Sequence, residues 1–377
     1  LFLSRQGLDV SFDRDFGHSF QWDIPLLEGY RFSFLPNLRK TSDARGFFSL
    51  LNLSVVPSLR DGRYDALLIH GYEHFAKLLA VFAAKSCNTK LLLHGESHLD
   101  EPRTPIRRSA KRLVLPGLFR QFDAFAYIGT RNRRYYEFYG AHEPRLFFAP
   151  YCVDNNFFSA AAAKAAPNRS ALRRALGISD DAPVIIFAGK LTSLKQPDLL
   201  LDAFVEVRKK LKCHLLFVGD GALRPTLEKQ SNELAPGDVH FAGFVNQSRI
   251  PEMYACGDIF VLPSLWEPWG LVVNEAMAAG LPVIVSDKVG CSPDLVEEGG
   301  NGYVFGHDNR DQLADRIASL VASASLRAGF SARSKQIISR WSLEAAADGI
   351  VQAARAACGP DPAESDQGLD TESCLSA

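Results

Sequence analysis

The sequence predicts an α/β protein of two doubly wound, Rossmann-like domains facing each other across a cleft. Three observations carry that reading. Short apolar runs alternate with segments of helical period along most of the chain. The alternation occurs twice, over residues 1–150 and again over 184–305. An alanine-rich stretch, 159–183, separates the two halves. Strands of a few residues followed by helices of about ten or more imply parallel βαβ units with helices on both faces. A chain of 377 residues, 47% of them hydrophobic, is long enough to build two sizeable cores.

In chain order, apolar runs at 1–4, 31–35, 66–70, 91–94, 124–128 and 146–149 read as the strands of a first domain, residues 1–158. Residues 159–183 form the linker; it is not a flexible glycine–serine sequence, and 171–176 is expected to be helical. The second domain, 184–341, has cleaner alternation, with strands expected at 184–187, 214–218, 239–241, 259–262, 283–285 and 303–305. Residues 342–358 read as a last helix. The tail, 359–377, holds five acids and no base, has little to bury, and is expected to be disordered.

Composition excludes several classes. A net charge of −1 does not suit a dedicated nucleic-acid binder. Seven scattered cysteines, odd in number and without a C-x-x-C pair, imply neither a disulfide framework nor a zinc site, which suits a reducing cytoplasm. No signal peptide is visible, and no apolar run approaches the roughly 18 residues that would cross a membrane. Charge is uneven, however. Residues 103–145 carry ten Arg/Lys against three acids, interleaved with Leu113, Val114, Leu115, Leu118 and Phe119. This stretch reads either as a solvated helix face or as a contact for anionic lipid or an anionic acceptor, which would place the protein at the inner face of a membrane.

The segment from Pro263 to Gly280 bears the chemistry. Pro263 ends the buried run 259–262, and the residues from Gly270 to Ala279 read as a helix stopped by Gly280 and Pro282. A strand, a loop and a helix N-terminus make an anion site, because unpaired N–H groups and the helix dipole point outward there. Glu267 lies in that loop, and Glu275 lies about one and a half turns into the helix. A ligand carrying both phosphate and hydroxyls, a nucleotide sugar, would use all of these groups.

With this spacing the segment resembles the E-x7-E signature of retaining glycosyltransferases of family four, which have the two-domain GT-B fold. Ala188-Gly189-Lys190-Leu191 with Lys195 is similar to the family's G-R-L-x-x-x-K loop, Val218-Gly219-Asp220-Gly221 to its G-x-G turn, and Phe241-Ala242-Gly243-Phe244-Val245 to its nucleobase loop. These motifs cover about residues 184–310. Upstream, the stretches from Trp22 to Tyr30 and from Pro150 to Asn155 resemble acceptor-domain segments of some bacterial members. The resemblance implies that Lys190 and Lys195 stabilise the leaving diphosphate, where fixed cations in a dry cleft act best. Lys190 stands where the family more often has arginine; it keeps the charge but loses the bidentate fork. Glu275 would accept hydrogen bonds from the ribose hydroxyls and Glu267 from those of the donor sugar. Backbone N–H groups of Trp269, Gly270 and Leu271 would face sugar and phosphate. The last helix would cross back to the first domain. The resembled fold also opens with a strand, a glycine-rich loop and a helix ahead of the present Leu1, so the resemblance implies that this opening unit is missing.

Other readings of single motifs stand beside these. Gly219-Asp220-Gly221 lacks the third glycine and the downstream ribose acid of a dinucleotide site, and is better read as a tight turn beside the donor. Phe241 and Val245 either offer backbone groups to a base or simply end a strand. His94, at the end of an apolar strand, reads equally as a cleft residue near sugar and acceptor or as a structural histidine. His70 and His74 have metal-ligand spacing but no third ligand. Asp13-Arg14-Asp15 looks like the metal-binding D-x-D of another glycosyltransferase architecture, yet its polar surroundings mark a loop. A glycosidase acid/base reading of Glu267 and Glu275 conflicts with the doubly wound setting and the lysine loop.

The expected function is retaining, metal-independent glycosyl transfer, of the hexosyltransferase type, from a nucleotide-diphosphate sugar to a hydroxyl acceptor. The nucleotide sugar is a co-substrate; no cofactor or metal is expected. Catalytic candidates are Glu267, Lys195, Lys190 and His94. Expected partners are the donor, a glycan or lipid-linked acceptor of cell-envelope polysaccharide or lipopolysaccharide type, and an anionic membrane surface through 103–145, but no nucleic acid. The alternatives are a nucleotide-sugar epimerase of related fold and a non-catalytic nucleotide-binding subunit.

Overall fold

The computed structural model describes residues 1–5, 8–39 and 46–359. Among the described residues before 55, regular structure is confined to a hairpin, β1 (Ser11–Asp13) and β2 (His18–Phe20), with Ser11 opposite Phe20 and Asp13 opposite His18. The strands expected at 1–4 and 31–35 do not form. In their place is one parallel bridge between Phe2 and Phe34, flanked by bonds from the Phe2 amide to the Ser33 carbonyl and from the Leu35 amide to the Phe2 carbonyl, both 2.9 Å. Of residues 31–35 only Leu35 is buried, and Phe32 is 46% exposed. An apolar run not covered by other elements lacks the burial that holds a strand in a parallel sheet.

The first domain follows as α1 (Val55–Gly62), β3 (Ala66–His70), α2 (Phe75–Ser86), β4 (Lys90–His94), α3 (Pro105–Phe119), β5 (Ala124–Tyr127), α4 (Thr130–Phe138) and β6 (Leu146–Phe148). Its four described strands are parallel and lie in sequence order, β3-β4-β5-β6, with His70 opposite His94. Leu91, Leu93, Phe119, Phe125 and Tyr136 fill the core between sheet and helices.

Residues 159–183 are not a spacer. They fall in α5 (Asn155–Ala165), α6 (Arg169–Ala175) and short connections, and the two helices pack on the second domain. Arg173 of α6 is buried and donates to the Cys256 carbonyl and to Asp258, which ties the stretch down. The second domain continues through β7 (Val184–Ala188), α7 (Pro197–Arg208), β8 (His214–Val218), α8 (Arg224–Leu234), β9 (Val239–Gly243), α9 (Ile250–Cys256), β10 (Ile259–Leu262), α10 (Leu271–Ala278), β11 (Val283–Ser286), α11 (Ser292–Leu295), β12 (Gly302–Phe305), α12 (Arg310–Ala322) and α13 (Ala324–Ile338). The strands expected from the apolar runs all form, and β7, β8, β10 and β11 are buried at every position, as strands covered on both faces must be.

Sheet order in this domain is β12-β11-β10-β7-β8-β9, all parallel. The chain runs outward from β7 in one direction, then returns to β10 and runs the other way. Connections diverge at the β7/β10 junction and leave a crevice at the carboxyl ends of those strands, the place where open α/β sheets bind ligands. The last helix, α14 (Leu343–Cys358), packs on β4, β5 and β6 of the first domain. Gly349 permits that contact, since a Cβ there would lie 1.9 Å from the Phe148 carbonyl oxygen. The tail beyond residue 359 lies outside the described residues.

Candidate functional site

Three loops leave the carboxyl ends of β7, β8 and β9 and bond to one another through their backbones. The Gly189 amide donates to the Val218 carbonyl (2.9 Å), Leu191 to Asp220 (2.8 Å), and Gly219 to Gly243 (2.8 Å). Close approach is what makes glycine necessary here: a Cβ on Gly219, φ +135°, would lie 1.9 Å from the Gly189 carbonyl oxygen. Segments more than 20 residues apart in sequence thereby become one floor.

Across the switch point stands the loop that follows β10. Lys195 Nζ is in contact with Glu267 Oε2, both side chains half-buried. Burial, with Lys190 adding to it, pushes the Lys195 ammonium down to about 8, while Glu267 alongside favours the charged form. Gly270, φ +100°, starts α10, and no side chain caps that helix. The Val273 amide bonds back to the Gly270 carbonyl at 2.8 Å, so the first-turn N–H groups of Leu271 and Val272 are those left for water or a ligand. Further along α10, Glu275 is buried and accepts from the Tyr254 hydroxyl at 2.6 Å. Burial raises its carboxyl to about 7, with Tyr254 and the Gln247 side chain pulling the other way. Gln247 belongs to the loop after β9, so Glu275 lies beneath the same crevice.

Lys190 is reached from an unexpected direction. Asp13 and Asp15 of the amino-terminal hairpin, expected as a plain polar loop, both bond its ammonium: Asp13 Oδ2 at 2.9 Å and Oδ1 at 3.1 Å, Asp15 Oδ2 at 3.2 Å. Phe16 lies over the same nitrogen, 5.0 Å from ring centre to Nζ. Phe16, His18 and Phe20 also surround Phe244, with ring centres at 5.1, 4.8 and 4.7 Å. Burial works to raise the Asp13 carboxyl, but Lys190 and the Phe16 amide outweigh it and hold it below the ordinary range.

The first domain supplies the opposite wall. His98 is buried, stacks on Trp266 and meets the Glu267 carbonyl at 3.3 Å. Thr130 donates through its amide (3.1 Å) and hydroxyl (2.6 Å) to Asp294, and Arg131 donates to the Asp287 carbonyl at 2.7 Å. A cavity of about 730 Å³ opens beside this seam, lined by His70, Tyr72, Glu73, Lys111, Trp266 and Pro268 among others. His94, at the end of β4, faces His70 with the two Nδ1 atoms 2.8 Å apart, and burial, with His70 adding to it, pushes it down to about 4. Close by, the Tyr151 hydroxyl donates to Glu96 at 2.6 Å.

Several sequence-chosen residues lie together at the crevice: Gly189, Lys190, Lys195, Gly219, Glu267, Gly270, Leu271 and Glu275. Others contribute packing through their side chains. Phe241 stacks on Phe217 (5.2 Å, 19°), Val245 lies against the core, and Trp269 is buried against Trp341 (5.1 Å) with its indole N–H on Asn274. His70 and His74 do not converge, since His74 turns to Ser49 and the Gly46 carbonyl. Among the described residues no group of three His, Cys, Asp or Glu is arranged to hold a metal ion. Sequence reasoning passed over Tyr254, His98, Arg131, Asp294 and the hairpin aromatics. Each acts through a contact distant in sequence, and no local pattern marks it.

Residues 168–337 match the family model of glycosyl transferases group 1. An uncharacterized glycosyltransferase of Methanocaldococcus jannaschii is 36% identical over 39% of this chain and 38% of its own length. A D-inositol 3-phosphate glycosyltransferase of Xylanimonas cellulosilytica is 31% identical over 55% of this chain and 51% of its own length. The chain thus matches about half or less of these two relatives. The crystal structure of Anabaena HepE in complex with UDP superposes with a TM-score of 0.67 over 79% of this chain and 80% of that one, at 21% identity. The fold is GT-B, with two Rossmann-like domains.

Proposed function

We propose that this protein is a retaining glycosyltransferase that needs no metal ion and moves a sugar from a nucleotide-diphosphate sugar to a hydroxyl acceptor. The observation that carries the reading is the Lys195–Glu267 contact at the β7/β10 switch point, beside the uncapped start of α10. As the bond between sugar and diphosphate breaks, charge grows on the β-phosphate. Lys195, Lys190 and the α10 amides would stabilise that charge in a partly dry crevice, where fixed cations are most effective. Glu267 would orient the sugar hydroxyls and Glu275 the ribose. The leaving phosphate would take the acceptor proton on the face it departs from, so the anomeric configuration is kept. His94 would line the acceptor side with its ring neutral. The matching relatives carry glycosyltransferase names, and a structural neighbour carries UDP, in keeping with this donor class.

For the acceptor we propose a cell-envelope glycan or glycolipid, met at the inner face of a membrane. α3 supports this: Ile106, Leu113 and Val114 are 82%, 84% and 60% exposed on a helix rich in arginine. Such a face suits the boundary of an anionic bilayer. Among the described residues no helix is long and apolar enough to cross a membrane.

The test is a screen of UDP-, GDP- and ADP-sugars against hydroxyl acceptors in the presence of EDTA. The reading requires transfer with retained anomeric configuration, read by proton NMR. Inverted product, or activity abolished by EDTA, would overturn it, and turnover of sugar nucleotide without acceptor would point to an epimerase.

A further inference from the structure

We infer that the amino-terminal hairpin is a self-inhibitory latch whose carboxylates Asp13 and Asp15 occupy Lys190 in place of the donor diphosphate. The inference rests on the donor-site reading above and adds to it a means of regulation. An ammonium group has three N–H donors. Here Asp13 takes bonds at 2.9 and 3.1 Å and Asp15 one at 3.2 Å, which uses all three. A diphosphate cannot bond to Lys190 without displacing at least one carboxylate. If the carboxylates stayed, like charges would face each other in a partly desolvated crevice.

The hairpin is held by more than its charges. Phe16, His18 and Phe20 pack around Phe244, which belongs to the loop expected to face the nucleobase. Beyond the hairpin, Asn246 donates to the Gln21 carbonyl at 2.7 Å, and the Ser248 amide donates to Asp23 at 3.0 Å. One continuous segment, residues 13–23, therefore covers both ends of the nucleotide site, the phosphate-facing lysine and the base-facing loop. Its attachments are of an exchangeable kind. They are partly exposed ion pairs and edge-on or tilted ring contacts, without the buried strand pairing that fixes β7 to β10. Donor and hairpin compete, and the nucleotide opens what the carboxylates close.

Two measurements on the full chain test the latch. The first is calorimetric titration with UDP, GDP and ADP of the wild type, of the D13N/D15N double variant, and of each in a Lys190→Ala background. Removing both carboxylate charges should tighten binding of the preferred nucleotide about five- to tenfold, and the gain should vanish without Lys190. The second is hydrogen exchange of the wild type, in which saturating nucleotide should speed exchange across residues 11–23. This second measurement does not depend on the variant folding. Equal or weaker binding by D13N/D15N, or protection of residues 11–23 by nucleotide, would overturn the latch while leaving the donor site intact. Failure of every protein to bind any of the three nucleotides would overturn both readings.

Discussion

The two sheets of this molecule use the same units for different ends. In the second domain the strand order reverses at β7/β10, so the connections on either side diverge and leave room for a ligand. In the first domain the described strands run in sequence order, β3-β4-β5-β6, and no reversal opens a crevice among them. In the reading proposed above the second sheet makes the donor site; the first domain meets it through His98, Thr130 and Arg131. Similar folding units thus give one domain a crevice at its strand-order reversal and the other a sheet without one.

The largest expected effect separates the two sides of the cleft. Lys195→Ala should lower donor turnover by about 10²–10³-fold, as expected for a fixed charge at the leaving group, while His94→Gln should cost about tenfold. Equal losses from both would erase the division of labour drawn here.

Close packing gives a second contrast. Gly219→Ala drives a Cβ to 1.9 Å from a backbone oxygen that cannot yield, at a φ of +135°. It should destabilise the protein by about 2–4 kcal/mol in urea unfolding. Gly95→Ala in the first domain meets nothing nearer than the Tyr136 hydroxyl at 3.5 Å and should change stability by less than about 0.5 kcal/mol.

Glu275 sets function against stability. Its carboxyl is raised to about 7 in the fold by burial, against an ordinary 4.5. The proton it holds favours the folded state fully below pH 4.5, and that contribution is lost as pH rises through 7. Glu275→Gln should therefore stabilise the ligand-free protein at pH 8 by up to about 3 kcal/mol and weaken UDP binding about tenfold. In the wild type, nucleotide affinity should rise as Glu275 ionises through pH 7 and fall as Lys195 loses its proton above about 8, giving an optimum between. The variant should lose the acid limb alone. Titration calorimetry across pH 5.5–9.5 reads both limbs; a flat profile would remove these two groups from the nucleotide site.

Legibility in the sequence follows the same division. The six strands of the second domain could be read because each is an apolar run bounded by polar or turn residues, and the central four, β7, β8, β10 and β11, are buried on both faces. Lys190 with Lys195, and Glu267 with Glu275, could be picked out because each pair is spaced within a single strand–loop–helix unit, the first after β7 and the second after β10. What sequence could not show depends on distant partners. Lys190 meets Asp13 across 177 positions, and His98 meets Glu267 across 169. The apolar runs at 1–4 and 31–35 misled because hydrophobic composition promises a sheet only where other elements cover it. In the alanine-rich stretch at 159–183 the expected helix forms as α6, Arg169–Ala175, but its anchor to the second domain, Arg173, is a single residue without a pattern.

The most direct measurement is a crystal structure of the protein with UDP bound. The account predicts the diphosphate within hydrogen-bonding distance of Lys195 Nζ and the α10 amides, the ribose hydroxyls on Glu275, and Lys190 released from Asp13 and Asp15. A nucleotide seated elsewhere, with Lys195 and Glu275 turned away from it, would contradict it.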